Sequence, residues 1–208
     1  DLVLKPLATI DEVARKGVDV ALMLGWPAER DLVVRPLVQT RLLVCASHDY
    51  WQRHGIPQEP EDLRSHDCLV IRSIGGTQLD RWSFEKDGVR PSVDVRSRIF
   101  SDERIWLIDA ARAGLGVLRI ADVLAQADVS SGALVPVLTE WQALESPIIF
   151  AAYSPDRRQS RLVRAFLDFV APLCSEMQPR RTASGATVPD MRTPEWFGRV
   201  SGRHSLHA

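Results

Sequence analysis

The residues able to do chemistry are scattered along the chain. His66-Asp67-Cys68, with His48 and His54 upstream, brings metal-ligand residue types into one stretch. The spacing follows no ligand pattern, and Cys68 is placed to enter the core at the start of a strand, so no metal site is expected. Asp102 and Glu103 are adjacent carboxylates that could be pictured as an acid and a base. Adjacent helical residues point about 100° apart, and the pair reads instead as charge favoured by the positive end of a helix that Ser101 caps. Gly114-Leu115-Gly116 is half of a dinucleotide fingerprint. It ends a helix and opens a strand, the reverse of the order that cradles a pyrophosphate, so Gly114 reads as a helix cap. No G-x-S-x-G elbow, Walker A loop or H-E-x-x-H helix occurs. No nucleophile, base and orienter can be assembled, and the reading is non-enzymatic, with no cofactor.

Cys45, Cys68 and Cys174 are odd in number and widely spaced. They indicate neither a disulfide framework nor a thiolate zinc site, and a reducing cytoplasm is their natural setting. The 208 residues carry 26 Lys+Arg against 27 Asp+Glu, a net charge of −1. That length buries a core in one or two domains, and that charge excludes the basic footprint of a nucleic-acid-binding module. No apolar run approaches the ~18 residues that span a bilayer, and the start lacks a charged region followed by an apolar one, so neither membrane nor export is expected. Of the six tryptophans, only Trp26 is placed where a ligand would meet it.

The elements that position these residues alternate. Leu2-Val3-Leu4 is a short apolar run, Thr9-Ile10-Asp11-Glu12 has capping-box spacing, and Gly17 suits a helix end. Residues 18–24 then form a nearly continuous apolar strand of the kind buried in parallel sheets, completing a β-α-β unit. Gly25-Trp26-Pro27 breaks that strand at its carboxyl end, where open α/β sheets place ligand loops. Residues 32–37 and 41–46 are strand-like, and Ser47 caps a short helix that Gly55-Ile56-Pro57 ends. Residues 82–85 and 89–97 flank Asp87-Gly88, a hairpin turn signal. A helix from Ser101 to Gly114, strands at 116–118, 133–138 and 147–153, and a helix capped by Ser160 follow. In that last helix Leu162, Val163, Phe166, Leu167, Phe169, Val170 and Leu173 recur at helical spacing. Residues 174–208 read as a disordered tail rich in Pro, Gly, Ser, Thr and Arg.

In order along the chain, residues 18–25, Leu32-Val33-Val34-Arg35-Pro36-Leu37, Leu42-Leu43-Val44-Cys45-Ala46-Ser47, His54-Gly55-Ile56-Pro57, His66-Asp67-Cys68-Leu69, Trp82-Ser83-Phe84, Ala113-Gly114-Leu115-Gly116 and Gly132-Ala133-Leu134-Val135 closely resemble the effector-binding domain of LysR-type transcriptional regulators. The resemblance implies an α/β, two-lobed, periplasmic-binding-protein-like (type 2) fold joined by two crossing hinge strands. Lobe I would be 1–42 and 153–173, lobe II 43–147, and the crossings would fall near 41–46 and 148–153. It further implies a small effector in the cleft between the lobes; an aromatic molecule or a carboxylate is the expected class, the carboxylate because the free amides at the start of the helix after Ser101 favour an anion.

Carried over by position, Gly25, Trp26, Ser73, Ser101 and Asp102 would meet that effector, with Arg72 or Arg98 available to complete a carboxylate site. The family's helix-turn-helix has no counterpart here, so DNA would be read only by the intact, dimeric, cytoplasmic parent. Asp1 opens inside an apolar run and reads as a cut, the family domain beginning one strand and one helix earlier. A solute-binding protein of a transport system with the same two-lobe fold is the alternative.

Overall fold

The computed structural model describes residues 2–4, 17–25, 31–72 and 78–176. By internal contacts the chain divides into Asp1–Gln178 and Pro179–Ala208, and every described residue lies in the first unit. The strands form three sheets.

The smaller of the two main sheets is built from β1 (Ala21–Gly25), β2 (Val33–Gln39) and β11 (Ile148–Tyr153), all antiparallel, in the order β1-β11-β2. One face is covered by α4 (Arg161–Glu176), whose Val163 and Leu167 pack with Ala151 and Tyr153, and whose Val170 and Cys174 pack with Val38. Ser160 opens this helix by accepting the Val163 N–H. Residues 174–176, which the sequence assigns to the tail, continue the helix.

The larger sheet comprises β3 (Leu42–Ala46), β4 (Cys68–Ile71), β7 (Ser97–Ser101), β8 (Val117–Ala121) and β9 (Val135–Val137). Its order is β7-β4-β8-β3-β9. β4 runs parallel to β7 and β8, while β3 is antiparallel to β8 and β9. Successive strand residues face opposite sides. Cys45, Leu69, Leu118 and Ile120 therefore pack under α2 (Arg104–Arg112) and α3 (Asp122–Ser131), while Val44, Val70 and Val117 pack with Tyr50 and Trp51 of α1 (His48–His54). A small third sheet of β5 (Arg81–Glu85), β6 (Ser92–Asp94) and β10 (Gln142–Ala143), in the order β10-β5-β6, adds Trp82, Phe84 and Val93 to this second face.

Several expectations are corrected. Residues 2–4 form no strand and are exposed, and β1 pairs antiparallel with β11 rather than within a parallel sheet, so the β-α-β reading does not hold there. Among the described residues β1 is an edge strand, which leaves Leu22 exposed and gives residues 2–4 nothing described to pair with. The helix proposed over 9–16 lies outside the described residues. The stretch 89–97 is not one strand: β6 ends at Asp94, and the chain then leaves the hairpin so that β7 can pair in parallel with β4. The hairpin turn itself is at Asp87-Gly88, both with positive φ (51° and 82°), the conformation that favours Gly and Asp in tight hairpins. The chain crosses between sheets before β3 and before β11 rather than along them. At the crossing the buried Thr40 donates both its N–H (3.0 Å) and its hydroxyl (2.6 Å) to the Pro147 carbonyl.

Candidate functional site

The cavity of interest lies where the two main sheets meet. Leu24 from β1 and Pro147 from the second crossing reach it from one side, and Leu42 and Ala121, a paired register position of β3 and β8, reach it from the other. Leu69 and Ile71 of β4 and Trp82 of β5 complete an apolar wall around a volume of about 100 Å³. Charged side chains share this lining: Arg81, Arg104, Arg119 and Glu145.

Arg119 is the unusual member. In β8 the residues alternate between faces, and Arg119 occupies the face of Val117 rather than that of Leu118 and Ile120. Its side chain is only 6% exposed, and its guanidinium lies over Trp82 and Phe84, 5.8 and 5.4 Å from their ring centroids. Nη2 donates to the Glu145 carboxylate and, at 3.4 Å, to the Ser83 carbonyl. Burial lowers its pKa and the neighbouring Glu145 opposes that shift. Taking a charge out of water is tolerated only with such pairing, and stacking on two aromatic rings adds to it.

Arg104 is the first residue of α2, and burial also lowers its pKa, with Glu103 opposing. It makes no ion pair with the described residues.

Of the sequence-proposed site residues, Gly25, Ser101 and Asp102 lie within the described residues. Gly25 ends β1 beside Leu24, half-buried, with φ +151°. Trp26 and Ser73 lie outside the described residues. Ser101 is the last residue of β7 and Asp102 is exposed. Gly25, Ser101 and Asp102 are not on the cavity wall, although Leu24 and Arg104 are close to them in sequence and are.

Ser101 does not cap α2 as the sequence suggested. The helix starts at Arg104 with Glu103 at the N-cap position, and the Ser101 hydroxyl accepts the Glu103 N–H at 3.0 Å while its carbonyl accepts that of Arg72. β7 keeps its pairing with β4 through Ser101, and the turn into the helix needs two more residues. Asp102 and Glu103 thus precede the first turn instead of lying in it. Arg72 and Arg98 are exposed and do not line the cavity. Trp82, Arg104, Arg119 and Glu145 were missed. Arg119 had a signal, as the lone charge within Val117-Leu118-Arg119-Ile120-Ala121.

The histidines that resembled metal ligands are held otherwise. His66 is buried with its Nδ1 3.4 Å from the Tyr50 hydroxyl, His54 stacks on the Tyr50 ring, and His48 pairs with Gln52. Among the described residues no three His, Cys, Asp or Glu side chains converge for a metal, and no helix is long and apolar enough to cross a membrane.

Two α/β lobes joined by paired crossings, with a partly charged cavity between them, define the class of two-lobed small-molecule-binding domains. The family model described as "LysR substrate binding domain" matches residues 2–175. The chain belongs to this family.

It is 31% identical over 188 residues to a probable helix-turn-helix transcriptional regulator, LtrA, of Klebsiella pneumoniae, covering 89% of this chain and 57% of that protein. Against the helix-turn-helix transcriptional regulator CrgA of Neisseria meningitidis serogroup B it is 31% identical over 162 residues, or 77% and 52% of the two chains. The solved regulatory domain of Neisseria meningitidis CrgA superposes with a TM-score of 0.68 at 28% identity, covering 78% of each chain. The full-length Vibrio cholerae virulence activator AphB superposes with a TM-score of 0.65 at 25% identity, covering 79% of this chain and 55% of that one. The chain spans about half the length of the curated relatives it matches.

Proposed function

We propose that this chain is the effector-sensing part of a LysR-type regulator and that a small molecule binds in the inter-lobe cavity to reset the geometry of the parent protein. The observation that carries the reading is the cavity itself: apolar walls from both lobes around a few convergent charged groups, placed at the crossings where occupancy changes how the lobes are held. The lobes are taken as 1–42 with 153–173, and 43–147. Gly25, Trp26, Ser73, Ser101 and Asp102 are kept as candidate contacts of the effector, while Trp82, Arg104 and Arg119 line the cavity with Glu145 at its edge. The relatives are regulators rather than enzymes, so the chain is read as non-catalytic, cytoplasmic and, in the intact protein, dimeric. DNA contact is assigned to a helix-turn-helix outside these residues.

A metabolite screen by thermal shift tests the reading. Ligands that raise Tm should lose their effect in Leu42→Trp, which fills the cavity, while circular dichroism shows the fold retained. Stabilisation equal in both proteins overturns the cavity assignment. Stabilisation that survives Trp26→Ala, Ser73→Ala and Ser101→Ala together removes those residues from the site. Sequence-specific DNA binding by this chain alone in a mobility-shift assay would overturn the division of labour.

A further inference from the structure

An apolar cavity has no need of a buried guanidinium, and Arg119 is held there with its hydrogen bonding incomplete. Its Nη2 is used by Glu145 and Ser83, yet its Nε is buried and has no partner among the described residues. A guanidinium presents Nε and Nη as a fork that fits both oxygens of one carboxylate. Glu145 does not fill that fork. It comes from the segment between β10 and β11, and its side chain is 36% exposed, at the edge of the cavity rather than within it. Arg104 lines the same cavity without an ion-pair partner, and three arginines against one glutamate give the lining an excess of positive charge, both among the described residues.

Building on the effector reading above, we infer that the ligand is a small monocarboxylate with an apolar body, and that its carboxylate takes the Arg119 fork in place of Glu145. The hinge glutamate is then a built-in competitor of the effector. Two carboxylates on one guanidinium in a low-dielectric pocket repel each other, so binding proceeds by exchange rather than addition. The exchange favours the ligand because Glu145 is partly hydrated already, whereas the ligand also places apolar surface against Leu42, Leu69, Ile71 and Trp82.

The released residue is part of the crossing. Leu144 donates its N–H to the Ser83 carbonyl at 3.2 Å, and Pro147 holds Thr40. Freeing Glu145 removes one tie between this crossing segment and β8, and that gives the ligand a differential hold on two hinge states.

The test uses isobutyrate and benzoate, with isobutyramide and benzamide as neutral isosteres, titrated at constant ionic strength. The acids should raise Tm and the amides should not. Glu145→Gln, with the competitor neutralised, should bind the acids about tenfold tighter, and Arg104→Gln should bind them about tenfold more weakly. In the wild type the Nε–Hε resonance of Arg119, assigned through its loss in Arg119→Lys, should move with the acids only.

Amides that stabilise as well as acids, and lose this in Leu42→Trp, would leave the effector cavity standing and overturn the carboxylate inference. Acid stabilisation unaffected by Leu42→Trp would place the anion elsewhere and overturn both. Unchanged or weaker acid binding by Glu145→Gln overturns the exchange. Should that variant fail to fold, an Arg119 resonance unmoved by either acid in the wild type decides against it. So does the absence of any acid effect on wild type and variant alike.

Discussion

His66 shows how one buried side chain sets a pH limit on the fold. Burial lowers its pKa, His54 beside it lowers it further, and Asp62 and Asp67 oppose the shift. With the folded-state value below the ordinary imidazole range near 6.5, the unfolded chain binds a proton that the native state refuses. The contribution is therefore complete above about pH 6.5 and is lost as pH falls through the depressed folded value. Thermal unfolding followed from about pH 7.5 to about pH 5 should show Tm declining, with a shallower decline in His66→Gln. Equal slopes would remove His66 from the account. His54 and His66 stand out in the sequence only as metal-ligand types, and Tyr50, on which both of them pack, carries no signal there. Its actual arrangement depends on contacts between α1 and the start of β4, which local spacing does not encode. Arg119 is the converse case, since a lone charge in the centre of an apolar strand marks a special position by residue type and spacing alone.

At the scale of elements, the Gly114 to Gly116 segment shows why a partial fingerprint can be entirely structural. Gly114 has φ +71° just past the end of α2, which is a helix-ending conformation. Gly116 has a different reason. A Cβ there would meet the Asp67 carbonyl oxygen at 2.5 Å and the Leu69 side chain at 3.2 Å, and that carbonyl is fixed by accepting the Val117 N–H. Gly116→Ala should cost about 2 kcal/mol and lower Tm by about 5 °C, whereas a substitution without effect would show that β4 and β8 can separate there.

α4 makes the same point about periodicity. The helical spacing read from sequence grouped seven apolar residues, and the structure divides them: Val163, Leu167 and Val170 are buried, while Leu162 and Phe169 are 77% and 67% exposed. Leu167→Ala should lose about 2–4 kcal/mol in denaturant unfolding, and Phe169→Ser should stay within about 0.5 kcal/mol. Periodicity announced the helix and its position. It did not say which apolar stripe finds a partner, because that depends on the sheet beneath.

The whole molecule turns on how two sheets with separate cores behave as one unit. The order of short motifs was enough to read the two-lobed class, and the strands themselves were mostly placed. What was not legible was where the chain changes sheets, since β2 pairs with β11 and Thr40 bonds Pro147 across more than a hundred positions of sequence. Thr40 is the residue on which this arrangement concentrates. Both of its donors converge on Pro147, so the two crossings are bonded to each other at the point where either lobe would have to pivot. Arg41 extends the tie into the larger sheet, its carbonyl accepting the Asp122 N–H at 2.8 Å at the start of α3. Thr40→Val keeps the shape and the backbone bond but deletes the hydroxyl, which should cost about 1 kcal/mol. If the lobes unfold together, that loss lowers by the same amount two transitions measured in a Trp26→Phe, Trp196→Phe background: the one seen by tryptophan fluorescence, to which the buried Trp51 and Trp82 contribute from around the larger sheet, and the one seen by far-ultraviolet circular dichroism, reporting on both lobes. If the crossing is what couples them, the two transitions coincide in the wild type and separate only when Thr40→Val is combined with Glu145→Ala, which removes the side-chain tie between the crossing segment and Arg119 of β8. Transitions already separate in the wild type would show that the lobes fold independently, and the cavity between them could not then act as a hinge-coupled sensor.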